Sequence, residues 1–157
     1  MRGLIGLALL AVALPVALGG CATRPDPMHW GFTEDRQEGA KLTLGVPGTD
    51  DLRVMALCQP RSGEIRLTIF GRQGDPPVVE LHSGELWKRY GGAGVEYDEE
   101  SLGGVDLQFR LHADDPVLAR VADTGELRLK LGDRWLVLPN GFAQEHDFIV
   151  ACRAPSP

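Results

Sequence analysis

No run of lysines and arginines occurs in this chain, and acids outnumber bases, 22 Asp and Glu against 16 Lys and Arg, for a formal net charge of −6. Binding a phosphate backbone needs a concentrated positive patch, so nucleic acid is not an expected partner. The chain has no Gly-x-Ser-x-Gly elbow, phosphate-binding loop or dinucleotide fingerprint, which removes the motif-borne hydrolase, nucleotide and nicotinamide chemistries. Its four histidines, His29, His82, His112 and His146, form neither a His-x-His pair nor an i, i+4 pair. Two imidazoles are therefore not set on one side of a strand or helix by spacing alone, and no cofactor is expected. Aromatics make up only 6%, and the chain has only three cysteines. What remains, 43% apolar and 24% charged over 157 residues, is the composition of one small globular domain.

The one long apolar stretch is at the start. Arg2 is followed by uncharged, mostly apolar residues from Leu4 to Leu18, interrupted by Pro15 and closed by Gly19 and Gly20. That pattern is a secretory signal, too short for a comfortable membrane span. Leu18-Gly19-Gly20-Cys21 resembles the lipobox of bacterial lipoproteins, with Leu three residues before the Cys and two small residues between. The resemblance implies cleavage before Cys21 and diacylation of its sulfur, which anchors a domain to a membrane face far more firmly than one chain does. Ala22 rather than Asp after the Cys is compatible, in a host with two membranes, with passage to the outer membrane and a periplasmic location. The expected organisation is a signal peptide over 1–20, a lipidated tether over 21–40 and a β-rich extracytoplasmic domain over 41–155.

With Cys21 assigned to lipid, Cys58 and Cys152 are left as an even pair in an oxidising compartment, and a disulfide between them is expected. Both end apolar runs, 54–58 and 148–152. The bond would join an early strand to the last element of the chain.

Residues 22–40 show no sustained period, and Trp30 and Phe32 are expected to be the first residues docked on the core. From Lys41 the dominant period is two. Leu42, Leu44 and Val46 alternate with smaller or polar residues, and Pro47-Gly48-Thr49-Asp50 is a turn. Residues 52–59 are apolar on both faces, which predicts a central strand buried on two sides. Strands follow over 64–70 and 78–82, separated by a turn at 71–77. Residues 91–104 run from Gly91-Gly92-Ala93-Gly94 through Tyr97, Asp98, Glu99 and Glu100 to Gly103-Gly104. So little apolar content predicts an acidic loop anchored by Tyr97. Alternation resumes over 105–112.

The period then changes. Asp114-Asp115-Pro116 is a helix-start signal, Val117, Leu118 and Val121 form an apolar stripe, and Gly125 stops it. Residues 126–131 and 134–139 flank Gly132-Asp133, a two-residue hairpin turn. Pairing outward sets Leu129 opposite Leu136 and Leu127 opposite Leu138 on a core face. Lys130 then meets Trp135 and Arg128 meets Val137 on the other face, which is either a solvated cation-aromatic surface or a partner-facing patch. Residues 148–152 read equally as a strand or as part of a helix capped at Asn140, with Phe142, Phe148, Ile149 and Cys152 turned inward. The fold expected is mostly β, a single small sandwich or barrel of about six to eight strands with one short helix and one disulfide.

Candidate chemistry is sparse. His82 and His112 fall on polar strand faces and would make a metal site only if the sheet joined them with an acid such as Asp114. Asp98, Glu99, Glu100, Asp114 and Asp115 would have to supply a carboxylate pair for a small hydrolase, although consecutive acids point in different directions. Ser83-Gly84-Glu85-Leu86-Trp87 is similar to the Ser-Gly-x-x-Tyr element of the periplasmic and membrane-bound inhibitors of chicken-type lysozyme, with Trp87 in place of the Tyr. That resemblance implies that Ser83 and Trp87 belong to a surface that engages an enzyme cleft. The function expected is a membrane-anchored envelope lipoprotein with a non-catalytic binding or structural domain and an envelope protein partner. Inhibition of an envelope-directed enzyme and hydrolysis are the alternatives.

Overall fold

The apolar-polar alternation becomes one antiparallel sheet of nine strands in the computed structural model, which describes residues 27–71, 74–96, 105–136 and 138–155. In chain order the elements are β1 (His29–Asp35), β2 (Gly39–Gly45), β3 (Leu52–Cys58), β4 (Glu64–Ile69), β5 (Val78–Ser83), β6 (Leu86–Glu96), β7 (Val105–His112), α1 (Pro116–Thr124), β8 (Arg128–Leu131), β9 (Arg134–Leu136) and α2 (Phe142–Cys152). In space the strands run β1-β2-β3-β4-β7-β6-β5-β8-β9. The sheet curls into a half-barrel. The helices pack on each other on its concave side, α1 against β5 and β6, and α2 against β1 and β2.

The core is the concave layer. Leu44, Val54, Ile69, Leu107, Leu81 and Leu129, from β2, β3, β4, β7, β5 and β8, form one buried cluster with Val121 and Phe148 of the helices. Burying such side chains contributes roughly 1.5–3 kcal/mol each. The convex side is left to solvent, which corrects the expectation for β3. Val54, Ala56 and Cys58 are buried, but Met55 and Leu57 on the other face are half-covered and Arg53 is exposed. Helices cover one face of the half-barrel only.

The predicted helix forms as its signals require. The Asp115 carboxylate accepts a hydrogen bond from the Val117 N–H at 3.1 Å, Pro116 opens the helix, and Gly125 closes it at φ 63° with its N–H on the Val121 carbonyl. The open choice at the C-terminus resolves to a second helix, so the expectation of a single helix is corrected. Its buried stripe is Glu145, Phe148, Ile149 and Cys152, spaced i, i+3, i+4, i+7. Phe142 is not part of it and stands 49% exposed. The reason is the close approach of the helices: Gly125 lies against the Phe142 backbone, with room for no side chain between. Asn140 accepts from the Phe142 N–H at 3.2 Å, and Gly141 is the N-cap. The Cys58–Cys152 disulfide is formed, with S–S 2.01 Å and Cα–Cα 5.8 Å, and ties the end of β3 to the end of α2.

Two segments read as irregular are strands. β1 occupies the second part of the expected tether and pairs with β2 from His29↔Gly45 to Asp35↔Gly39. It is an edge strand, and only Trp30 is buried, so its alternation is faint in sequence. The Trp30 indole N–H donates to the Pro139 carbonyl at 2.7 Å. The expected acidic loop begins later than 91, because Gly92–Glu96 pairs with Phe109–Val105 of β7. Tyr97 and the rest of that segment to 104, like Val137 and residues 1–26, lie outside the described residues.

Glycine is required at one of these positions. A Cβ at Gly92 would overlap the Gln108 carbonyl oxygen and the Phe109 ring, whereas one at Gly91 would meet nothing within 4 Å. Gly92→Ala is expected to destabilise the fold by about 1–3 kcal/mol through overpacking, and Gly91→Ala to stay within about 0.5 kcal/mol of the parent. Urea unfolding of the two variants side by side measures this contrast.

Candidate functional site

Because β5 alternates strictly, Val79, Leu81 and Ser83 face the helices while Glu80 and His82 face outward. A two-residue turn with Gly84 at φ 57° returns the chain as β6, so that Ser83 pairs with Leu86, His82 with Trp87 and Glu80 with Arg89. On its other edge β5 pairs with β8, setting His82 against Arg128 and Glu80 against Lys130, and Lys130 pairs in turn with Trp135 of β9. The register therefore builds two outward rows across four strands: Trp87, His82, Arg128, and below it Arg89, Glu80, Lys130, Trp135.

These rows interlock. The His82 imidazole stacks on the Trp87 indole, with ring centroids 5.9 Å apart and planes 16° from parallel. It meets the Trp135 indole edge-on at 4.7 Å. The Arg128 guanidinium and the Lys130 ammonium lie 5.3 and 5.9 Å from the Trp135 ring centre. Glu80 holds the base of the patch. Its Oε1 accepts from Arg89 Nε and Nη2 at 3.1 and 2.5 Å, and its Oε2 lies 3.3 Å from His82 Nε2 and 3.9 Å from Lys130 Nζ. Arg89 and then His82 keep its carboxyl below the usual carboxylate range. The indoles nevertheless remain open, Trp87 57% and Trp135 48% exposed, as is the neighbouring Leu86. Two large aromatics held by packing yet presented to solvent, with three cations around them, make a surface suited to binding rather than to proton transfer.

The other candidates fare differently. Ser83 is completely buried, and its hydroxyl has no hydrogen-bond partner among the described residues. It continues the inward Val79 and Leu81 face, so the lysozyme-inhibitor resemblance keeps Trp87 at the surface and loses Ser83. His82 and His112 are not joined: β6 lies between their strands, and His112 pairs with Glu64. No group of three His, Cys, Asp or Glu side chains able to hold a metal ion occurs among the described residues. Asp114 and Asp115 do not act as a pair, since Asp114 is exposed and Asp115 is the buried cap of α1. Burial would raise the Asp115 pKa, but Lys88, the Tyr90 hydroxyl at 2.6 Å and the Val117 N–H outweigh it and hold the carboxyl below its usual range. Burial first, and then Asp115, push the Tyr90 hydroxyl far above its usual range. The Asp115 cluster fastens α1 to β6. Asp98, Glu99 and Glu100 lie outside the described residues.

His82, Glu80 and Arg89 are the participants that the sequence did not single out as binding residues. The signal was present in the Ser83-Gly84-Glu85-Leu86 turn, which sets His82 opposite Trp87 once it is read as a hairpin. The chain matches no protein-family model, no curated protein and no solved structure.

Proposed function

We propose that this chain is a bacterial envelope lipoprotein, anchored through acylated Cys21 on the periplasmic face of the outer membrane, whose β domain is a non-catalytic binding module. The observation that carries the reading is the Trp87–His82–Trp135 face: exposed indoles locked on a rigid sheet are the residue type that dominates protein-protein binding energy. The partner is another envelope protein. Arg89, Arg128 and Lys130 around the indoles, against the single outward acid Glu80 among these rows, favour an acidic contact surface on it. The lipobox supports the anchor, and β1 begins only a few residues beyond Cys21, which keeps the domain close to its membrane.

The test is cross-linking of the acylated protein in its native envelope, compared with Trp87→Ala/Trp135→Ala and with Cys21→Ser. One defined protein should be captured at near-stoichiometric yield by the parent. The double tryptophan variant should lose on the order of tenfold or more of that yield while folding normally. Cys21→Ser should lose the acyl label and the membrane fraction. Capture unaltered by removal of both indoles, or no defined partner at all, would sink the binding reading. An unlabelled Cys21 would sink the anchor.

A further inference from the structure

Arg66 of β4 and Arg110 of β7 stand directly opposite each other on the convex face. Like charges in register oppose strand pairing, and a carboxylate nearby is the usual relief. Most other cations on that face have one: Lys41 has Glu38 at 2.7 Å, Arg89 has Glu80 at 2.5 Å, Arg128 has Glu126 at 3.9 Å and Lys130 has Glu80 at 3.9 Å, whereas Arg53 of β3 stands exposed without an ion pair among the described residues. Among the described residues neither Arg66 nor Arg110 makes an ion pair, although Glu38 and Glu64 line the hollow on their other side and the chain as a whole is acidic.

Beside them lies an open groove of about 550 Å³, lined by the two arginines, Gln108, Phe109 and the Gly91-Gly92-Ala93 stretch, with no acidic side chain in its walls. The topology makes the groove. Pairing of β6 with β7 stops at Gly92↔Phe109, and from Gly91 backwards β6 pairs with β5 instead, so the surface opens next to Arg110. Gly91 leaves that opening bare, because a Cβ there would meet nothing within 4 Å.

We infer that this groove binds a phosphate group, as a phosphomonoester or phosphodiester, between the guanidinium groups of Arg66 and Arg110. Planar guanidinium forks match phosphate oxygens two at a time, and a pair of them is relieved of its mutual repulsion by the bound anion. Gln108 adds an amide donor, and the bare Gly91 backbone lets the anion settle between the side chains. The groove is larger than one phosphate and accommodates the sugar or glycerol that carries it. This site shares no residue with the Trp87–Trp135 face and does not rest on it.

The experiment is titration of the purified protein with inorganic pyrophosphate at low salt, followed by NMR of the arginine Nε–Hε signals. Saturating shifts of Arg66 and Arg110 in the millimolar range or below are expected. Arg66→Gln, Arg110→Gln and Gly91→Val should each weaken binding on the order of tenfold. Gly91→Val fills the groove without touching either charge, and thermal melting of all three variants checks that the fold is kept. Absence of saturation, or equal binding by all three variants, overturns the proposal. The source of the phosphate is separated with unacylated Cys21→Ser protein and sedimented vesicles. Capture by phosphatidylglycerol but not phosphatidylcholine vesicles, abolished by Gly91→Val, identifies a lipid headgroup. Pyrophosphate binding without vesicle capture identifies a soluble phosphorylated compound, and both outcomes support the site.

Discussion

Replacing Glu145 by leucine is expected to stabilise the protein, and to do so far more at pH 8 than at pH 4. Glu145 lies in the first turn of α2, is 1% exposed, and its two carboxylate oxygens have no hydrogen-bond partner among the described residues. It lines a small space of about 40 Å³ among core side chains, together with Trp30, Leu42, Leu118 and Phe148, and every other lining residue is apolar. Among the described residues no charged group acts on it. Burial pushes its pKa from 4.5 to about 7, opposed only in part by the Gly141 amide, which acts on the carboxylate without reaching hydrogen-bond geometry.

Below about pH 4.5 folded and unfolded chains both hold this proton, and Glu145 adds no pH dependence. Between 4.5 and 7 the unfolded chain releases it while the folded chain keeps it, so stability falls as pH rises. Above 7 the folded state carries a buried carboxylate, and the full loss, on the order of 3 kcal/mol for a shift from 4.5 to about 7, is in place. Glu145→Leu removes that loss and fills the space with apolar atoms. Urea midpoints of both proteins from pH 4 to 9 should therefore diverge as pH rises. Carboxylates whose pKa is depressed, such as Asp115 and Glu80, work in the opposite direction but are common to both proteins and cancel. Parallel curves would show that Glu145 ionises without leaving an uncompensated charge in the core.

At the other end of the same helix, removing the disulfide should have the largest effect on stability of any change considered. Cys58 and Cys152 are separated by 94 positions, so the bond closes a loop of most of the domain. In the chain-entropy model such a closure contributes on the order of 4 kcal/mol, by restricting the unfolded state. Cys58→Ala/Cys152→Ala is expected to melt about 10–20 °C below the parent. Two backbone bonds also hold this end of α2, from the Arg61 N–H to the Ala151 carbonyl at 2.8 Å and from the Gly63 N–H to the Cys152 carbonyl at 2.9 Å. The variant should therefore keep its far-ultraviolet spectrum at low temperature and lose stability rather than fold. An unchanged melting temperature on reduction of the parent would refute the entropic role.

Much of this architecture is written in local patterns. Period-two alternation marks β2, β4, β5 and β7, Asp115-Pro116 and Gly125 bound α1, and Gly132-Asp133 makes the hairpin with Leu129 opposite Leu136. The pairing of Cys58 with Cys152 follows from counting. Each of these signals depends on a residue and its neighbours, or on the only thiols left to pair. The inward face of Ser83 was legible in the same way, as the next step after Val79 and Leu81. Glu145 was half legible: the stripe of Phe148, Ile149 and Cys152 extends back to it at helical spacing, and only its polarity hides it.

The strand order, and with it both proposed sites, was decided by tertiary structure. Nothing local places β7 between β4 and β6 or β5 between β6 and β8, yet those adjacencies set Arg66 against Arg110 and bring Trp135 to His82 and Trp87. The same holds for Gly91 and Gly92, whose lack of side chains reads as loop in sequence. In the folded sheet it reads as a strand passing over the Phe109 ring and leaving a groove beside Arg110. The sequence by itself determined which side chains alternate and where the chain turns, because those are contests among neighbours along the backbone. Only the folded sheet decided which strands meet, because that choice minimises the exposed apolar area of the whole chain at once.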